Sequence, residues 1–369
     1  MSLLLSIFYY FYFSIIGVYI IFFPKILVGV GYSASEVGII FAASPLVRFI
    51  LPFLFMRGLR LNKFLFNSAL VLVIVSAFSF FVTIGNFYSL LISNIFLGIG
   101  LSLILPYIEV VALHTIGKER YGKVRLFGSI GFVVVALVLV QFLSSANIAL
   151  MFLAFLTVIT AFFAYTIANN SYDEKVELEE SGSEISLLKH WQLWLGLILM
   201  QMSFGAFYNF FTIYETNNGL SLDMTIYLWS FGVLAEIVML FYQGRLLSRN
   251  LLKILQLTTF ITVIRWFLVY AYPQNVLIMF AAQSLHAFSF ALFHSAAISY
   301  LFQIYKDKAL AQQFFSGITY GLGGLTGALL SGYIYEYYPE YLFLSSSVIV
   351  FIAFVMLKLF EKRLRESNY

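Results

Sequence analysis

The sequence predicts an all-α integral membrane protein with twelve transmembrane helices. Of its 369 residues, 62% are hydrophobic and only 10% are charged, and the mean hydropathy is +0.95. An ordinary soluble domain carries about 25% charged residues. Apolar segments of about 20 residues, the length needed to cross a bilayer, recur along the chain between short polar breaks. These observations favour a bundle of membrane-spanning helices over a globular domain.

The predicted spans follow in chain order from the length of each apolar segment and from the breaks between segments. Each break contains charged residues or the turn formers Gly, Pro, Asn and Ser. The predicted spans are 4–27, 36–57, 63–82, 88–114, 124–144, 148–168, 191–214, 224–246, 251–272, 275–302, 310–336 and 340–360.

The positions of Lys and Arg predict the orientation, because these residues accumulate in loops that stay in the cytoplasm. With twelve alternating spans, the loop bases fall on one side of the membrane and only Lys25 falls on the other. Both ends of the chain lie on the basic side. We therefore expect a multi-pass protein of the cell (inner) membrane with both termini cytoplasmic.

One long polar segment divides the chain. It reads "ANNSYDEKVELEESGSEISLLKH" and has the acidic, Ser- and Gly-containing composition of a flexible linker. The predicted parts are an N-terminal six-helix bundle (1–168), a central cytoplasmic loop (169–190) and a C-terminal six-helix bundle (191–369). A regulatory role for the acidic run is the alternative interpretation.

Apart from the bases assigned to loops and the acids near span ends, five charged residues are predicted to be embedded in the membrane, where a charge costs on the order of 3 kcal/mol by insertion scales. They are Arg48, Glu109, Arg125, Glu236 and Arg265. Such residues persist when they are paired, hydrated or functional. We expect most of them to face a water-accessible interior, and the alternative is a set of structural ion pairs that lock helices together.

Two pairs are expected among these charges. Glu109 and Arg125 lie on consecutive spans joined by a short turn, so they can meet, and Gly128 and Gly131 permit close packing beside Arg125. Snorkelling of Arg125 to the surface is the alternative. Glu236 and Arg265 form the corresponding candidate pair in the second half, where a proton-carrying carboxylate is also possible.

The tenth span carries two histidines, His286 and His294. They are separated by about 80° around a helix and about 12 Å along it, so they lie on roughly one side. This spacing does not suit a metal site, and no metal is predicted. Imidazole titrates near neutral pH, which favours a proton-handling role. Neutral histidines hydrogen-bonded between helices are the alternative.

The remaining candidates lie in the first two spans. Pro45 and Pro52 flank Arg48, so we expect a bent helix that presents this charge to a central cavity. A structural kink with a snorkelled Arg48 is the rival interpretation. In the first span, Tyr9, Tyr12 and Tyr19 are cavity candidates because their hydroxyl groups need partners.

These features resemble the major facilitator superfamily over essentially the whole chain. "YGKVRLFGSIGF" resembles the fifth-helix signature of lactose-permease-type proton symporters and of the phenylpropionate permease branch, with Arg125 at the signature arginine. "GVLAEIVMLF" and "LHAFSFALFH" are closer to the phenylpropionate permease branch. The resemblance implies the major facilitator fold, with two pseudo-symmetric six-helix bundles.

The chain also departs from that pattern. The tenth span has no carboxylate one turn after a histidine, as lactose permease has, so the proton carrier cannot be carried over directly. The expected substrate-binding residues are Tyr12, Arg48, Glu109, Arg125 and Arg265. The expected proton-coupling residues are Glu236, His286 and His294.

The resulting prediction is a monomeric proton-coupled symporter, not an enzyme, that imports a small organic solute by alternating access and needs no cofactor. The resemblance implies an aromatic carboxylate such as 3-phenylpropionate. The alternatives are a sugar or nucleoside proton symporter and, from a different class, a non-transporting membrane sensor. The expected partners are the solute, protons and the lipid bilayer. No nucleic-acid partner is expected, because membrane topology explains the basic loops.

Overall fold

The computed structural model describes residues 1–57, 59, 61–170 and 187–366. Most of the predicted central loop, 169–190, therefore lies outside the described residues, as do the last three residues. The division into parts at 168 and 191 stays a prediction.

Twelve long helices run through the described residues, which confirms the predicted number of spans. They are α1 (Ser2–Val30), α2 (Ala34–Met56), α3 (Lys63–Thr83), α4 (Phe87–Gly117), α5 (Arg120–Phe142), α6 (Ala146–Asn170), α7 (Trp191–Asn217), α8 (Leu222–Tyr242), α9 (Leu251–Ala271), α10 (Val276–Ile304), α11 (308–337) and α12 (Leu342–Glu366).

Eleven of these helices are long and apolar enough to cross a membrane. The other, α11, is of similar length but contains six glycines, which lower its mean hydropathy. Three helices include a π-helical turn: Val18–Phe22 in α1, Ala287–Leu292 in α10 and Phe315–Leu322 in α11. Such turns are often found at functional sites.

The turn between α4 and α5 is tighter than the sequence predicts. Helix α4 continues to Gly117, and α5 begins at Arg120, whereas the expected ends were 114 and 124. Gly117 has φ of 73°, a backbone conformation that glycine adopts without strain. The chain therefore reverses direction within a few residues, and Glu109 and Arg125 end up on adjacent antiparallel helices.

Glycines bring α5 against α1. A Cβ atom added to Gly131 would overlap the backbone carbonyl of Tyr10, and one added to Gly128 would lie 2.7 Å from the Phe13 ring. The side chain of Ser14 completes the contact by donating a hydrogen bond to the Gly131 carbonyl oxygen at 3.0 Å. The close approach that Gly128 and Gly131 predict is thus present, and it sets Arg125 beside α1.

Helices α2 and α11 pack together along their length and join the two halves of the chain. A Cβ atom on Gly317 would lie 2.7 Å from Pro52, and one on Gly324 would lie 3.2 Å from Pro45. Gly38 and Gly332 approach each other in the same way further along. Small residues allow this contact because they let two backbones come close.

We call the side that carries both chain ends the terminal face, and the opposite side the far face. At the far face the two halves are joined by polar contacts. Lys25 on α1 donates a hydrogen bond to the Thr216 hydroxyl on α7 at 2.8 Å. The backbone N–H of Ser35, at the start of α2, donates to Glu336 on α11 at 2.7 Å. We call these two bonds the far-face contacts.

The Gly131→Ala substitution should destabilise the protein, because the added methyl group meets backbone that cannot move aside. Overpacking of this kind costs about 1–3 kcal/mol. The matched control is Gly122→Ala on the same helix, where nothing lies within 4 Å of an added Cβ. Thermal unfolding in detergent should give a lower Tm for Gly131→Ala alone. Equal Tm values for the two variants would contradict the close packing of α1 and α5.

Candidate functional site

The five charged residues predicted to be embedded lie in two clusters, one in each half of the chain, with Arg48 near both. Glu109 and Arg125 form the first cluster, on α4 and α5. Glu236, Arg265 and His286 form the second, on α8, α9 and α10. His294 interacts electrostatically with both Glu236 and Arg125. The clusters therefore face one central region between the halves.

In the first cluster, Arg125 Nε lies 3.8 Å from Glu109 Oε1, and both side chains are about one third exposed. Tyr121 donates a hydrogen bond to the same carboxylate oxygen at 3.0 Å. The guanidinium lies 3.8 Å from the centre of the Phe13 ring and 5.4 Å from that of Tyr9. The side chain of Arg125 thus turns toward α1 and α4, which agrees with the predicted pair.

Arg265 is completely buried, and neutral groups surround it. Its Nη2 donates to Gln283 at 2.9 Å, and its Nη1 reaches Ser289 at 3.0 Å and His286 Nδ1 at 2.9 Å. The rings of Trp266 and Phe207 lie 4.3 and 4.5 Å from the guanidinium carbon. Cation–π contacts gain strength when water is absent. Arg265 therefore links α9 to α10 through hydrogen bonds and aromatic faces.

The sequence predicts that Glu236 pairs directly with Arg265, and this prediction is wrong. His286 lies between the two side chains. His286 Nε2 is 3.7 Å from Glu236 Oε2. Since the guanidinium can only donate hydrogen bonds, His286 Nδ1 must accept, and the imidazole proton then sits on Nε2, facing the carboxylate. The three side chains follow one another in the order Arg265, His286, Glu236. His286 in the centre carries a proton on Nε2, and the Glu236 carboxylate lies at the end.

The second histidine continues this arrangement along α10. The ring of Phe290 stacks between His286 and His294, at 5.3 and 6.4 Å between ring centres. Phe290 lies in the π-helical turn, and the three rings are four positions apart, a spacing that places them on one face of the helix. His294 Nδ1 lies 2.6 Å from the Tyr320 hydroxyl on α11.

Among the predicted site residues, Arg48 is the one whose positive charge is not paired within the described part of the chain. Ile39, Leu46, Ile50 and Phe53 form the exposed apolar face of α2, and Arg48 lies about 200° around the helix from Leu46. Its guanidinium interacts electrostatically with the hydroxyl groups of Tyr12, Tyr208 and Tyr320. Among the described residues Arg48 has no ion pair or side-chain hydrogen bond.

Tyr12 is less available than the sequence suggests. Its hydroxyl donates a hydrogen bond to the Leu101 carbonyl oxygen on α4 at 3.0 Å, and the residue is only 5% exposed. The phenol oxygen can still accept a hydrogen bond, but the donor is committed to the backbone. Tyr19 is similarly engaged, with its hydroxyl on Asn94 at 2.8 Å.

Sequence reasoning missed four polar residues of this region: Tyr208, Tyr320, Gln283 and Ser289. Gln283 carried a signal, because an uncharged amide inside a span needs a partner as a charge does. It stands one turn before His286 and binds the same guanidinium. The tyrosines carried no signal that separates them from the many others in the chain.

The profile of the MFS_1 like family matches residues 2–345. The chain belongs to this family. A probable 3-phenylpropionic acid transporter of Escherichia coli (strain K12) is 24% identical over 346 residues, which cover 90% of this chain and 91% of the relative. An uncharacterized transporter, YwbF of Bacillus subtilis (strain 168), is 26% identical over 64% of this chain and 61% of its own length.

Solved structures show the same fold. The nucleoside transporter NupG has a TM-score of 0.77 at 15% identity, with 97% of this MFS_1-like chain and 98% of NupG covered. A bacterial homolog of the human lysosomal transporter Spinster, inward-facing and occupied, has a TM-score of 0.69 at 12% identity, covering 98% and 96%. The MFS_1-like protein is therefore a membrane transporter with the major facilitator fold, and it is not an enzyme.

Replacing Arg265 with Ala should destabilise the MFS_1-like protein. The change leaves buried acceptors on Gln283 and His286 without a donor and opens a cavity between aromatic rings, at a cost of about 3 kcal/mol. The control is Lys253→Ala, an exposed base on the same helix. Thermal unfolding should lower the Tm of Arg265→Ala only. An unchanged Tm would show that the guanidinium does not hold α9 and α10 together.

Proposed function

We propose that this transporter is a proton-coupled symporter that imports a small aromatic carboxylate, of which 3-phenylpropionate is the example to test. The observation that carries the proposal is Arg48, a guanidinium facing the centre of the molecule without a counter-ion among the described residues. A bound carboxylate would supply the missing charge. Tyr208 and Tyr320 beside it offer hydroxyl groups and aromatic faces.

The other two arginines have different roles in this proposal. Arg125 already has Glu109 as a partner, and the pair is partly exposed, so both can contact polar groups of a substrate. Arg265 is buried and fully surrounded in this conformation, so it orients His286 and Glu236. Similarity to the probable 3-phenylpropionic acid transporter supports the choice of an aromatic acid.

Proton coupling is proposed for Glu236 together with His286 and His294. The Glu236 side chain is 16% exposed and lies at the end of the Arg265 and His286 arrangement. When Glu236 is protonated, it has no negative charge that attracts the imidazole N–H. When the proton leaves, the charge and the attraction return. The stacked rings of His286, Phe290 and His294 transmit such a change toward Tyr320 on α11, a helix that joins the two halves.

The orientation in the inner membrane is also part of the proposal. The terminal face carries most of the loop Lys and Arg residues and is assigned to the cytoplasm. The far face then lies outside. Because the far-face contacts are formed, the conformation described above is closed to the outside. Import requires these contacts to break and reform while the two halves rock around the central region.

Purified protein in proteoliposomes should accumulate radiolabelled 3-phenylpropionate when an inward proton gradient is imposed. Glu236→Gln should abolish this accumulation but keep solute exchange across the membrane, because exchange needs no net proton movement. Failure of well-folded wild type to move the acid with or without the gradient would refute the aromatic-acid proposal.

Arg48→Gln should raise the KM for the acid about tenfold or more, because a hydrogen bond to a charged group contributes about 1.5–3 kcal/mol. Arg57→Gln is the matched control, since Arg57 directly follows the same helix and is exposed. Uptake kinetics should show the KM increase for Arg48→Gln alone. The same KM in both variants would remove Arg48 from the substrate site.

A nucleoside symporter is the second candidate, favoured by the fold likeness to NupG and by the Glu109 and Arg125 pair, which suits hydroxyl groups. Competition separates the two. If unlabelled nucleosides inhibit uptake and aromatic acids do not, the nucleoside assignment replaces the first. Inhibition by aromatic acids alone supports the first.

A further inference from the structure

One buried carboxyl group lies outside the central region and has no hydrogen-bond partner among the described residues. Glu215 lies on α7 near the far face and is 0% exposed. Within the part of the chain that the structure describes, neither of its carboxyl oxygens has a hydrogen-bond partner. Buried polar groups are almost always hydrogen-bonded. Glu215 is therefore an exception that calls for a physical explanation.

Within the described residues, no cation forms an ion pair with Glu215. Lys25 on α1 is bonded to Thr216, and Tyr335 on α11 accepts from Asn217 at 2.9 Å. Glu336 takes the Ser35 N–H. The further titratable groups of the packed elements are Glu36 on α2, Tyr214 on α7, Asp223 on α8 and Glu340 before α12, with Tyr270 on α9 interacting with Tyr214.

An ionised carboxylate in this position would lose its hydration and gain no hydrogen bond or cation in return. The free energy of that state is many kcal/mol above that of the neutral acid. A neutral carboxyl group, in contrast, is tolerated at much lower cost. The geometry of the closed far face thus favours the form of Glu215 that carries a proton.

Glu215 is also placed where opening of the far face would change its surroundings. The next residue, Thr216, makes the contact to Lys25 across the two halves. Asn217 donates a hydrogen bond to the Tyr335 hydroxyl on α11. The Leu220 N–H donates to the Glu215 carbonyl oxygen at 3.1 Å, so the turn after α7 covers this end of the helix. Separation of α1 from α7 would remove cover next to the carboxyl group and let water reach it.

We propose that Glu215 is a second proton-binding site of this transporter, one that holds a proton while the far face is closed and releases it when that face opens. The inference rests on the proposed function only in counting Glu236 as the first proton-binding site. Because the closed state binds one more proton than the open state, low pH favours closure. The ratio of open to closed molecules then changes by up to about tenfold per pH unit.

The absence of cysteine from the sequence makes a distance measurement direct. Nitroxide labels on Tyr88→Cys and Leu277→Cys would sit at the far-face starts of α4 and α10, at side chains that are 74% and 81% exposed. Electron paramagnetic resonance distances should show a growing short-distance, closed population as the pH falls from about 9 to about 5. With Glu215→Gln the closed population should dominate at every pH. Asp223→Asn, an exposed acid at the start of α8, should behave like wild type.

A second measurement detects the proton itself. Infrared spectra of the wild type at neutral pH should contain the C=O stretch of a buried carboxylic acid, and Glu215→Gln should lack it. This readout needs no spin labels. If the wild-type and Glu215→Gln spectra are identical in that band, Glu215 is ionised and the inference is overturned.

The outcomes also separate this inference from the proposed function. If Glu215→Gln keeps the full pH dependence, or if the wild type shows none, the Glu215 site is refuted. If Glu236→Gln alone removes the pH dependence, the proton-coupled function stands and the Glu215 site falls. If Glu215→Gln removes the pH dependence while vesicles take up no 3-phenylpropionate, the Glu215 site stands and the substrate proposal falls.

Discussion

A guanidinium removed from water must be hydrogen-bonded by its neighbours, and at Arg265 this constraint organises the second half of the chain. The cation loses its hydration on burial, so it recovers stability from Gln283, Ser289, His286 and two aromatic rings. Those acceptors lie on α10, which is thereby held against α9. Because Arg265 donates a hydrogen bond to His286 Nδ1, the imidazole proton lies on Nε2 and faces Glu236. The position of one buried cation thus determines the tautomer of the histidine and the surroundings of the carboxylate.

The three central arginines illustrate how burial changes the role of the same side chain. Arg265 is enclosed and acts on its neighbours, whereas Arg125 shares its charge with Glu109 at a partly exposed position. Arg48 is exposed, and in the part of the chain that the structure describes it has no counter-ion. Since the energy of an ion pair depends strongly on its exposure to water, the three guanidinium groups differ in how readily each could take a new anionic partner.

Close packing of glycines makes these contacts possible. Gly131 and Gly128 let α5 approach α1, and the stripe of glycines on α11 lets it lie along α2 across the two halves. Contacts of this kind depend on dispersion and shape, not on exclusion of water, because lipid is as apolar as the helix surface. An interface without strong polar bonds can slide or rock at modest cost. The few polar bonds between the halves at the far face are then the ones that decide whether that side is open.

The sequence by itself determined the twelve helices, the places where they begin and end to within a few residues, and five of the embedded charges. These are local properties: hydropathy, capping side chains such as Ser33 and Asn86, and the rarity of ions in apolar segments. Sequence reasoning missed Glu215, because the predicted seventh span ended at 214 whereas the helix continues to Asn217. Only the tertiary structure decided which groups meet. His286 lies between Glu236 and Arg265, and the Tyr12 hydroxyl donates a hydrogen bond to the Leu101 carbonyl oxygen. Among the described residues, the Glu215 carboxyl group has no hydrogen-bond partner. Such outcomes depend on the rotation and axial offset of one helix against another, which the packing of all helices sets together and no single segment encodes.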